Sequence, residues 1–438
     1  MRAVKDARER RESDEPVARG VRLVLAGLAT TLCLACGGSE PELPSLDGPA
    51  RETERIGWIR RFGMDRILDL QVWRGTAAGF VALVAHDGRV VYGRTTGWAD
   101  VEGRVPMTLD TRFQIASMTK PITAVAAMIL VEEGRLALDD RVDRFLPDFA
   151  ELRVFTGLAP DGGFETAPLA EPLRVRHLLT FTSGLGGYGE GDDPLDRAWR
   201  AREIEDAGLG SLAQRIARIP GLPLYEQPGQ RWRYGWSFDV LARVVEVAAG
   251  EPFDALLAKR IFTPLGMRST SFPDAVPAEA PFAKMYTHDP EGALAREPRF
   301  DAWYGRGWTP GGGGLVSTAT DYLRFAAMLA NGGALGDVRI LAPETVAAMT
   351  HLQVPSGVLA DMGLEGLGWG LGVSVVADAD RTPMRDANGD FWWSGRFGTQ
   401  FWISPANRTI VVLMQQTERS ATSELPVTAS LVQAVATP

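Results

Sequence analysis

The feature that most constrains the fold is a helix that is apolar on all sides. The residue pattern predicts a helix over 117–133, and Gly134 marks its end. Its segment A-V-A-A-M-I-L (124–130) offers no polar face to solvent. Such a helix is stable only in a protein interior, so the remaining chain must enclose it.

Strand patterns near both ends of the chain indicate what encloses this helix. Two apolar runs, 79–86 and 89–95, are joined by Asp87-Gly88, which is a strong hairpin signal. A second antiparallel pair, 400–404 and 409–416, is joined by a turn at residues 405–408. Further helical patterns cover 52–72, 241–250, 321–333 and roughly 420–436.

Strands at both ends with helices between them predict an α/β chain of the α+β type with one antiparallel sheet. We expect a sheet lobe from about 52–115 and 305–437, and a mainly helical lobe from about 116–304. Residues 140–300 combine helices with loops rich in Pro and Gly. The cleft between two such lobes is a natural ligand site.

The predicted buried helix begins with S-M-T-K, which places Ser117 and Lys120 one helical turn apart. At this spacing both side chains lie on one face, so the amine can reach the hydroxyl. A serine hydroxyl is a weak nucleophile that needs a base, and burial lowers the pKa of a lysine enough for that role. The N–H of a serine at a helix start can also face a developing oxyanion.

A lone S-x-x-K match has a second interpretation, since most such pairs are an ordinary solvated serine and lysine. The position of Ser117 and Lys120 at the head of an entirely apolar helix favours catalysis instead.

Other classes of chemistry are disfavoured by composition. Cys33 and Cys36 are the only cysteines, so the body of the chain has neither a thiol nucleophile nor an internal disulfide. The four histidines are far apart in sequence and show no metal-binding spacing, so no metal or cofactor is expected. Net charge is −9 without a basic block beyond residue 22, which disfavours nucleic acid as a partner. No G-x-S-x-G motif occurs, and His177 precedes L-L-T in a segment that we interpret as structural.

The nucleophile segment F-Q-I-A-S-M-T-K-P-I-T-A (113–124) resembles that of the serine β-lactamase and penicillin-binding superfamily. The most similar members are class C β-lactamases, DD-carboxypeptidases and family VIII carboxylesterases. The resemblance runs from about residue 55 to the C-terminus and includes V-R-H-L-L-T-F-T-S-G-L (175–185), E-Q-P-G-Q-R-W-R-Y (226–234) and T-P-G-G-G-G-L-V-S-T-A-T-D-Y-L-R-F (309–325). It implies a β-lactamase-like fold with the active site in the cleft.

The resemblance also implies a role for Tyr234, because a tyrosine at this position lines the cleft in the family. Its phenol could relay a proton between Ser117, Lys120 and the leaving group. Family members place a polar residue beside this tyrosine, whereas this chain has Gly235. Ser237 is the candidate that replaces it. The alternative interpretation of Tyr234 is an ordinary core tyrosine before a helix.

A third motif, W-S-G-R-F-G-T (393–399), lies where β-lactamases of this superfamily show K-T-G and family VIII esterases often show W-G-G. By position, Trp393, Ser394 and Gly395 match the esterase form and line the substrate site. The backbone N–H of Arg396 would be the second oxyanion donor, beside that of Ser117. The alternative is an aromatic cluster in the sheet core, because Trp392 and Trp402 are close in sequence.

The N-terminus has the pattern of an export signal. An Arg-rich segment precedes a short apolar stretch, and L-A-C at 34–36 resembles a bacterial lipobox in which Cys36 is lipidated. We therefore expect a signal peptide with lipobox at 1–36, a flexible tether at 37–51 and a hydrolase domain at 52–437. A plain secretory signal and an uncleaved anchor are the alternatives.

Together these features predict an exported carboxylic ester hydrolase, a membrane-anchored lipoprotein that faces the periplasm or the exterior. Ser117, Lys120 and Tyr234 are the expected catalytic residues, and a small ester or amide is the expected substrate. β-Lactamase, DD-carboxypeptidase and D-amino peptidase or amide hydrolase activities remain open, as does the oligomeric state. A catalytically inactive protein that binds cell-wall peptides is the alternative from another class.

Overall fold

A large antiparallel sheet and a set of helices make up the described part of the chain. The computed structural model describes residues 44–46, 57–187, 191–205, 210–277, 279–300, 307–355, 365–382 and 387–418. The predicted signal peptide, nearly all of the tether and the last predicted helix lie outside these residues.

The α-helices are α1 (Trp58–Trp73), α2 (Thr119–Glu132), α3 (Val175–Leu179), α4 (Pro194–Arg200), α5 (Leu212–Ile216), α6 (Ser237–Ala249), α7 (Phe253–Leu257), α8 (Thr263–Leu265), α9 (Ala319–Ala330) and α10 (Pro343–Thr350). A π-helical turn, Ala258–Phe262, joins α7 to α8. The 3₁₀ turns are Ala116–Met118, Val142–Arg144, Pro147–Glu151, Pro273–Ala275, Pro298–Phe300 and Ala379–Arg381.

The strands are β1 (Gly79–His86), β2 (Arg89–Asp100), β3 (Val105–Pro106), β4 (Phe113–Gln114), β5 (Arg153–Leu158), β6 (Phe164–Pro168), β7 (Tyr286–His288), β8 (Leu294–Arg296), β9 (Val316–Ser317), β10 (Ala334–Leu335), β11 (Val338–Arg339), β12 (Leu367–Trp369), β13 (Ser374–Val376), β14 (Phe391–Ser394), β15 (Gln400–Ser404) and β16 (Thr409–Met414).

The main sheet has eight strands in the order β12-β13-β14-β15-β16-β1-β2-β3, and neighbouring strands are antiparallel. Because β1 pairs with both β2 and β16, the first strands of the described chain lie beside its last strand within one sheet, which confirms the predicted fold class. The β1–β2 hairpin turns through Asp87 and Gly88, whose φ angles of 51° and 74° are those that a tight two-residue turn requires.

The all-apolar helix lies in the interior, as its sequence requires. Every residue of α2 from Thr119 to Leu130 is buried, and α2 packs against α6. Helix α9 packs against strands β1 and β16 of the main sheet. Gly134 has φ of 67° directly after α2, which accounts for the helix end. Ser117 lies in the 3₁₀ turn before α2, not in its first turn as predicted.

The helical pattern over 52–72 predicts an apolar face that includes Ile59 and Phe62, and this differs from the face that α1 buries. Met64 and Asp69 are buried against the sheet, whereas Ile59 and Phe62 are 67% and 55% exposed. Asp69 accepts a hydrogen bond from the guanidinium of Arg94 on β2 at 2.9 Å. This buried ion pair fixes which side of α1 faces the sheet, and hydrophobic spacing alone does not reveal it.

Two hairpins in the helical lobe were also not predicted. β5 pairs with β6 and β7 pairs with β8, each as a two-stranded sheet outside the main one. Their strands are short and mostly half-buried or exposed, so they lack the alternation of apolar and polar residues on which a prediction depends. Within the described ranges, no helix combines the length and apolar character needed to cross a bilayer.

The buried pair of Asp69 and Arg94 gives a prediction for stability. Asp69→Ala removes the hydrogen-bonded carboxylate of the buried Arg94 guanidinium and leaves only the longer 3.8 Å ion pair with Asp65, which costs up to about 3–5 kcal/mol. Asp139→Ala, which removes an exposed ion pair with Arg176, serves as the control and should cost less than about 1 kcal/mol. Urea unfolding followed by fluorescence measures both, and equal losses would contradict the role assigned to the buried pair.

Candidate active site

Ser117 lies on a strained turn between β4 and α2. Ala116, the residue before it, has φ of 44°, a left-handed conformation that is uncommon for residues other than glycine. Such strain costs about 1–3 kcal/mol and concentrates at functional sites. The Ile115 carbonyl holds the turn, because it accepts hydrogen bonds from Met118 N–H at 3.0 Å and from Thr399 Oγ1 at 3.1 Å.

Three predicted residues meet at the Ser117 hydroxyl. Lys120 Nζ donates a hydrogen bond to Ser117 Oγ at 3.0 Å, and Tyr234 OH donates to the same oxygen at 2.6 Å. Tyr234 is 117 residues away in sequence, so the fold brings it to the site. Two candidate proton-transfer groups within hydrogen-bond distance of one serine oxygen form the arrangement that activates a serine nucleophile.

Lys120 is fully buried with its amine satisfied by the protein. Besides Ser117, Nζ donates to the Gly312 carbonyl at 2.5 Å. It also lies 4.5 Å from the centre of the Tyr234 ring, close enough for a cation–π interaction. The G-G-G-G loop at 311–314 therefore contributes a backbone acceptor to the site.

An aromatic cluster supports Tyr234. Phe181 lies at its centre with φ of 56°, and its ring is 4.8 Å from that of Tyr234. Trp232 and Trp369 pack against Phe181 at 5.5 and 5.2 Å. The Phe181 carbonyl also accepts a hydrogen bond from Arg233 N–H at 2.7 Å, which fixes the backbone next to Tyr234. Ring packing of this kind restricts the direction of the phenol.

Trp393 on β14 extends this aromatic surface to the sheet. Its side chain is buried, its ring centre is 5.9 Å from that of Tyr234, and it packs edge-on against Trp369 at 4.6 Å. Its indole nitrogen has no hydrogen-bond partner among the described residues. Trp393 is thus part of the aromatic cluster in the sheet core and also lies next to Tyr234.

The segment after Trp393 approaches the Ser117 turn closely. A side chain at Gly395 would place Cβ 2.3 Å from the Ile115 carbonyl oxygen, so only glycine fits. Ser394 is half-buried beside it at the end of β14. This contact brings the backbone at Gly395 next to the turn that carries Ser117. The Arg396 side chain is half-exposed and forms an ion pair with Glu418.

Ser237 is placed differently from the prediction. Its side chain is fully buried at the start of α6, where its Oγ is 2.8 Å from Ser183 Oγ. The structure thus uses this hydroxyl to connect α6 to the loop after α3 and does not bring it to Ser117. His177 is also structural, because its buried ring accepts a hydrogen bond from Arg174 N–H, and burial lowers its pKa.

Asp239 and Phe181 are residues at the site that the sequence interpretation missed. Asp239 is a buried acid on α6, in the run S-F-D-V-L, where an acidic residue among apolar ones could have indicated it. Phe181 gives no such signal, since its contribution depends on a left-handed backbone. Among the described residues, no cluster of His, Cys, Asp and Glu could hold a metal ion.

This geometry agrees with the family comparison. A sequence model of the family described as Beta-lactamase matches residues 64–435, most of the chain. The chain belongs to the beta-lactamase family. It is similar to esterase EstB of Burkholderia gladioli, with 35% identity over 418 residues that cover 89% of this chain and 98% of the relative. It is also 31% identical to lovastatin esterase of Penicillium rubens, over 62% of this chain and 69% of that protein.

A solved structure has the same architecture. EstCE1, described as a hydrolase with promiscuous acyltransferase activity, superposes with a TM-score of 0.73 at 27% identity and covers 86% of this chain and 98% of its own. The resemblance to family VIII carboxylesterases within the beta-lactamase family is confirmed. The chain is accordingly a serine hydrolase.

The contacts at Ser117 Oγ lead to a kinetic prediction. Ser117→Ala and Lys120→Ala should each lower turnover of a short-chain nitrophenyl ester by at least about a thousandfold, and the double variant should be little worse, because the two residues act as one unit. Covalent labelling by a fluorophosphonate should disappear in Ser117→Ala.

Ser183→Ala is the matched control for this experiment. It also removes a buried serine hydroxyl, the one bonded to Ser237, and should lower stability while labelling remains. A Ser117→Ala protein that is still labelled would show that the nucleophile lies elsewhere.

Proposed function

We propose that this serine hydrolase is a carboxylesterase that cleaves short neutral esters through an acyl-enzyme on Ser117. The observation that carries the proposal is the pair of hydrogen bonds that Ser117 Oγ receives from Lys120 and Tyr234. EstB and lovastatin esterase, both esterases by name, support the same reaction class.

Each residue has a defined part in the proposed reaction. The unprotonated Lys120 amine takes the Ser117 proton as Oγ attacks the ester carbonyl. Tyr234 then passes a proton to the departing alkoxide and regains one from Lys120, which leaves both residues in their starting state. The N–H groups of Ser117 and Arg396 stabilise the negative charge on the carbonyl oxygen. Water then attacks the acyl-enzyme and releases the acid and the free serine.

The preference for neutral esters rests on Trp393. A β-lactam or a peptide C-terminus carries a carboxylate beside the scissile bond, which a lysine at this strand position would pair with. An indole offers a flat apolar wall that suits a neutral acyl or alcohol group. Arg396, three residues after Trp393, is the cation that could replace such a lysine. Its guanidinium instead forms an ion pair with Glu418. An ester also needs less help than an amide, because its leaving group departs without strong protonation.

We further propose that the protein is exported and anchored to a membrane by a lipid on Cys36. The L-A-C-G sequence at 34–37 and the Arg-rich segment before it support this proposal. Residues 37–43 would then link the lipid to the first described residues.

The substrate proposal is tested by comparing a short-chain nitrophenyl ester with a chromogenic cephalosporin. We expect kcat/KM for the ester to be at least about a hundredfold higher, a difference of ~2.7 kcal/mol. Arg396→Ala is the accompanying variant, and it should change neither rate substantially. Comparable native rates on both substrates, with only the cephalosporin rate lost in Arg396→Ala, would make Arg396 a carboxylate anchor and point to β-lactamase or DD-carboxypeptidase activity. Absence of turnover and of phosphonate labelling would favour the inactive binding protein.

The anchoring proposal is tested in cells that express the full chain with a labelled fatty acid. The label should attach to the native chain and be absent from Cys36→Ser, whereas Cys33→Ser is the control that should retain it. A soluble mature protein without the label would refute lipidation, although export could still hold.

A further inference from the structure

Asp239 on α6 is a buried carboxylate next to the site that the proposed reaction does not yet use. Its side chain is 2% exposed, and its Oδ1 accepts a hydrogen bond from Gly312 N–H at 3.0 Å. Its Oδ2 is buried without a hydrogen-bond partner among the described residues. A buried carboxylate is costly unless a positive charge compensates it, so its surroundings must supply that charge.

The Lys120 amine, once protonated, is the positive charge that acts on this carboxylate. Burial raises the pKa of Asp239 to about 6, the attraction of Lys120 opposes that rise, and the repulsion of Glu205 adds to it. Helices α3 and α5 pack against α6, and they carry the titratable or charged residues His177 and Arg215. His177 bonds to Arg174 N–H, and Arg215 lies over the Trp308 ring.

The remaining charged groups near α6 have partners or are exposed. Arg243 and Glu246, on α6 itself, form an ion pair with each other. α7 contributes Asp254, which is exposed to solvent. The Asp239 carboxylate therefore has its main electrostatic coupling with the lysine of the candidate site.

The G-G-G-G loop at 311–314 connects Asp239 and Lys120 through hydrogen bonds. The Gly312 N–H donates to Asp239, and the Gly312 carbonyl accepts from Lys120 Nζ. At Gly311 a Cβ would lie 2.5 Å from the Phe238 carbonyl, so only glycine lets the loop come this close to α6. Thr123 Oγ1 holds the loop from the other side by donating to the Gly311 carbonyl at 2.8 Å.

We propose that Asp239 is a positioning residue that holds the Gly312 carbonyl on Lys120 and provides the negative charge that stabilises Lys120 when it takes the Ser117 proton. The proposal rests on the proposed function, in which Lys120 is the base. In that step the Ser117 O–H bond breaks, the proton moves to Nζ, and the neutral amine becomes an ammonium in a buried site. A carboxylate nearby stabilises that cation and makes the amine a stronger base.

The test is the pH dependence of kcat on a nitrophenyl ester in Asp239→Asn. The asparagine keeps the shape and an acceptor for Gly312 N–H but removes the charge. We expect kcat to fall at least about tenfold with KM within about twofold. The rising limb of the pH profile should move to lower pH, because removal of a neighbouring anion disfavours a protonated amine. Asp239→Ser should move the limb in the same direction, and Asp239→Glu, which retains the charge, should return it towards the native position.

Two controls separate this role from a structural one. Rates are divided by the fraction of protein that a fluorophosphonate labels, so that partly folded material does not enter the comparison. Asp321→Asn removes another buried helical carboxylate, one that accepts hydrogen bonds from Ser269 N–H and Thr270 Oγ1, and should lower stability without moving the limb.

The outcomes distinguish the two proposals. An unmoved limb in the labelled Asp239→Asn and Asp239→Ser proteins overturns the role of Asp239, even if kcat falls, because lost packing alone would lower kcat. Failure of the native protein to be labelled would instead contradict the proposed function itself.

Discussion

The burial of a lysine at the head of an all-apolar helix is the constraint on which the site depends. Lys120 has no access to solvent, so every contact of its amine must come from the protein. Ser117 supplies an oxygen, the glycine loop supplies a carbonyl, and the face of the Tyr234 ring lies alongside. These partners come from three separate parts of the chain, and the fold has to bring all of them to one helix end.

Chemistry at the site follows from the same burial. A serine hydroxyl is unreactive in water, whereas the fold places two candidate proton-transfer groups on Ser117 Oγ. The aromatic cluster around Phe181 packs against Tyr234, and Thr399 holds the turn that carries Ser117. The positions of the reacting groups are therefore set by residues that also belong to the buried interior.

Local patterns predicted much of this structure. The β1–β2 hairpin, the β15–β16 pair and the enclosed helix could be located because apolar spacing and turn residues determine them. The buried face of α1 could not, because an ion pair between Asp69 and Arg94 outweighs its hydrophobic spacing. At the site, Ser117, Lys120 and Tyr234 were identified by motif. The role of Phe181 depends on a positive φ angle, which the residue type does not predict. The position of Ser237 depends on its hydrogen bond with Ser183, a residue distant in sequence.

The contacts of Trp393 also bear on how this enzyme could evolve. Its ring is packed against Trp369 and Trp392 in the sheet, while its other side faces Tyr234. A change to a lysine that could bind carboxylate-bearing substrates would remove a buried indole, and truncations of buried tryptophan typically cost about 3–5 kcal/mol. Substrate range and folding are thus tied together at one position. A lineage that moved from esters towards β-lactams would first need compensating substitutions in the aromatic cluster, which makes the route between the two activities narrow.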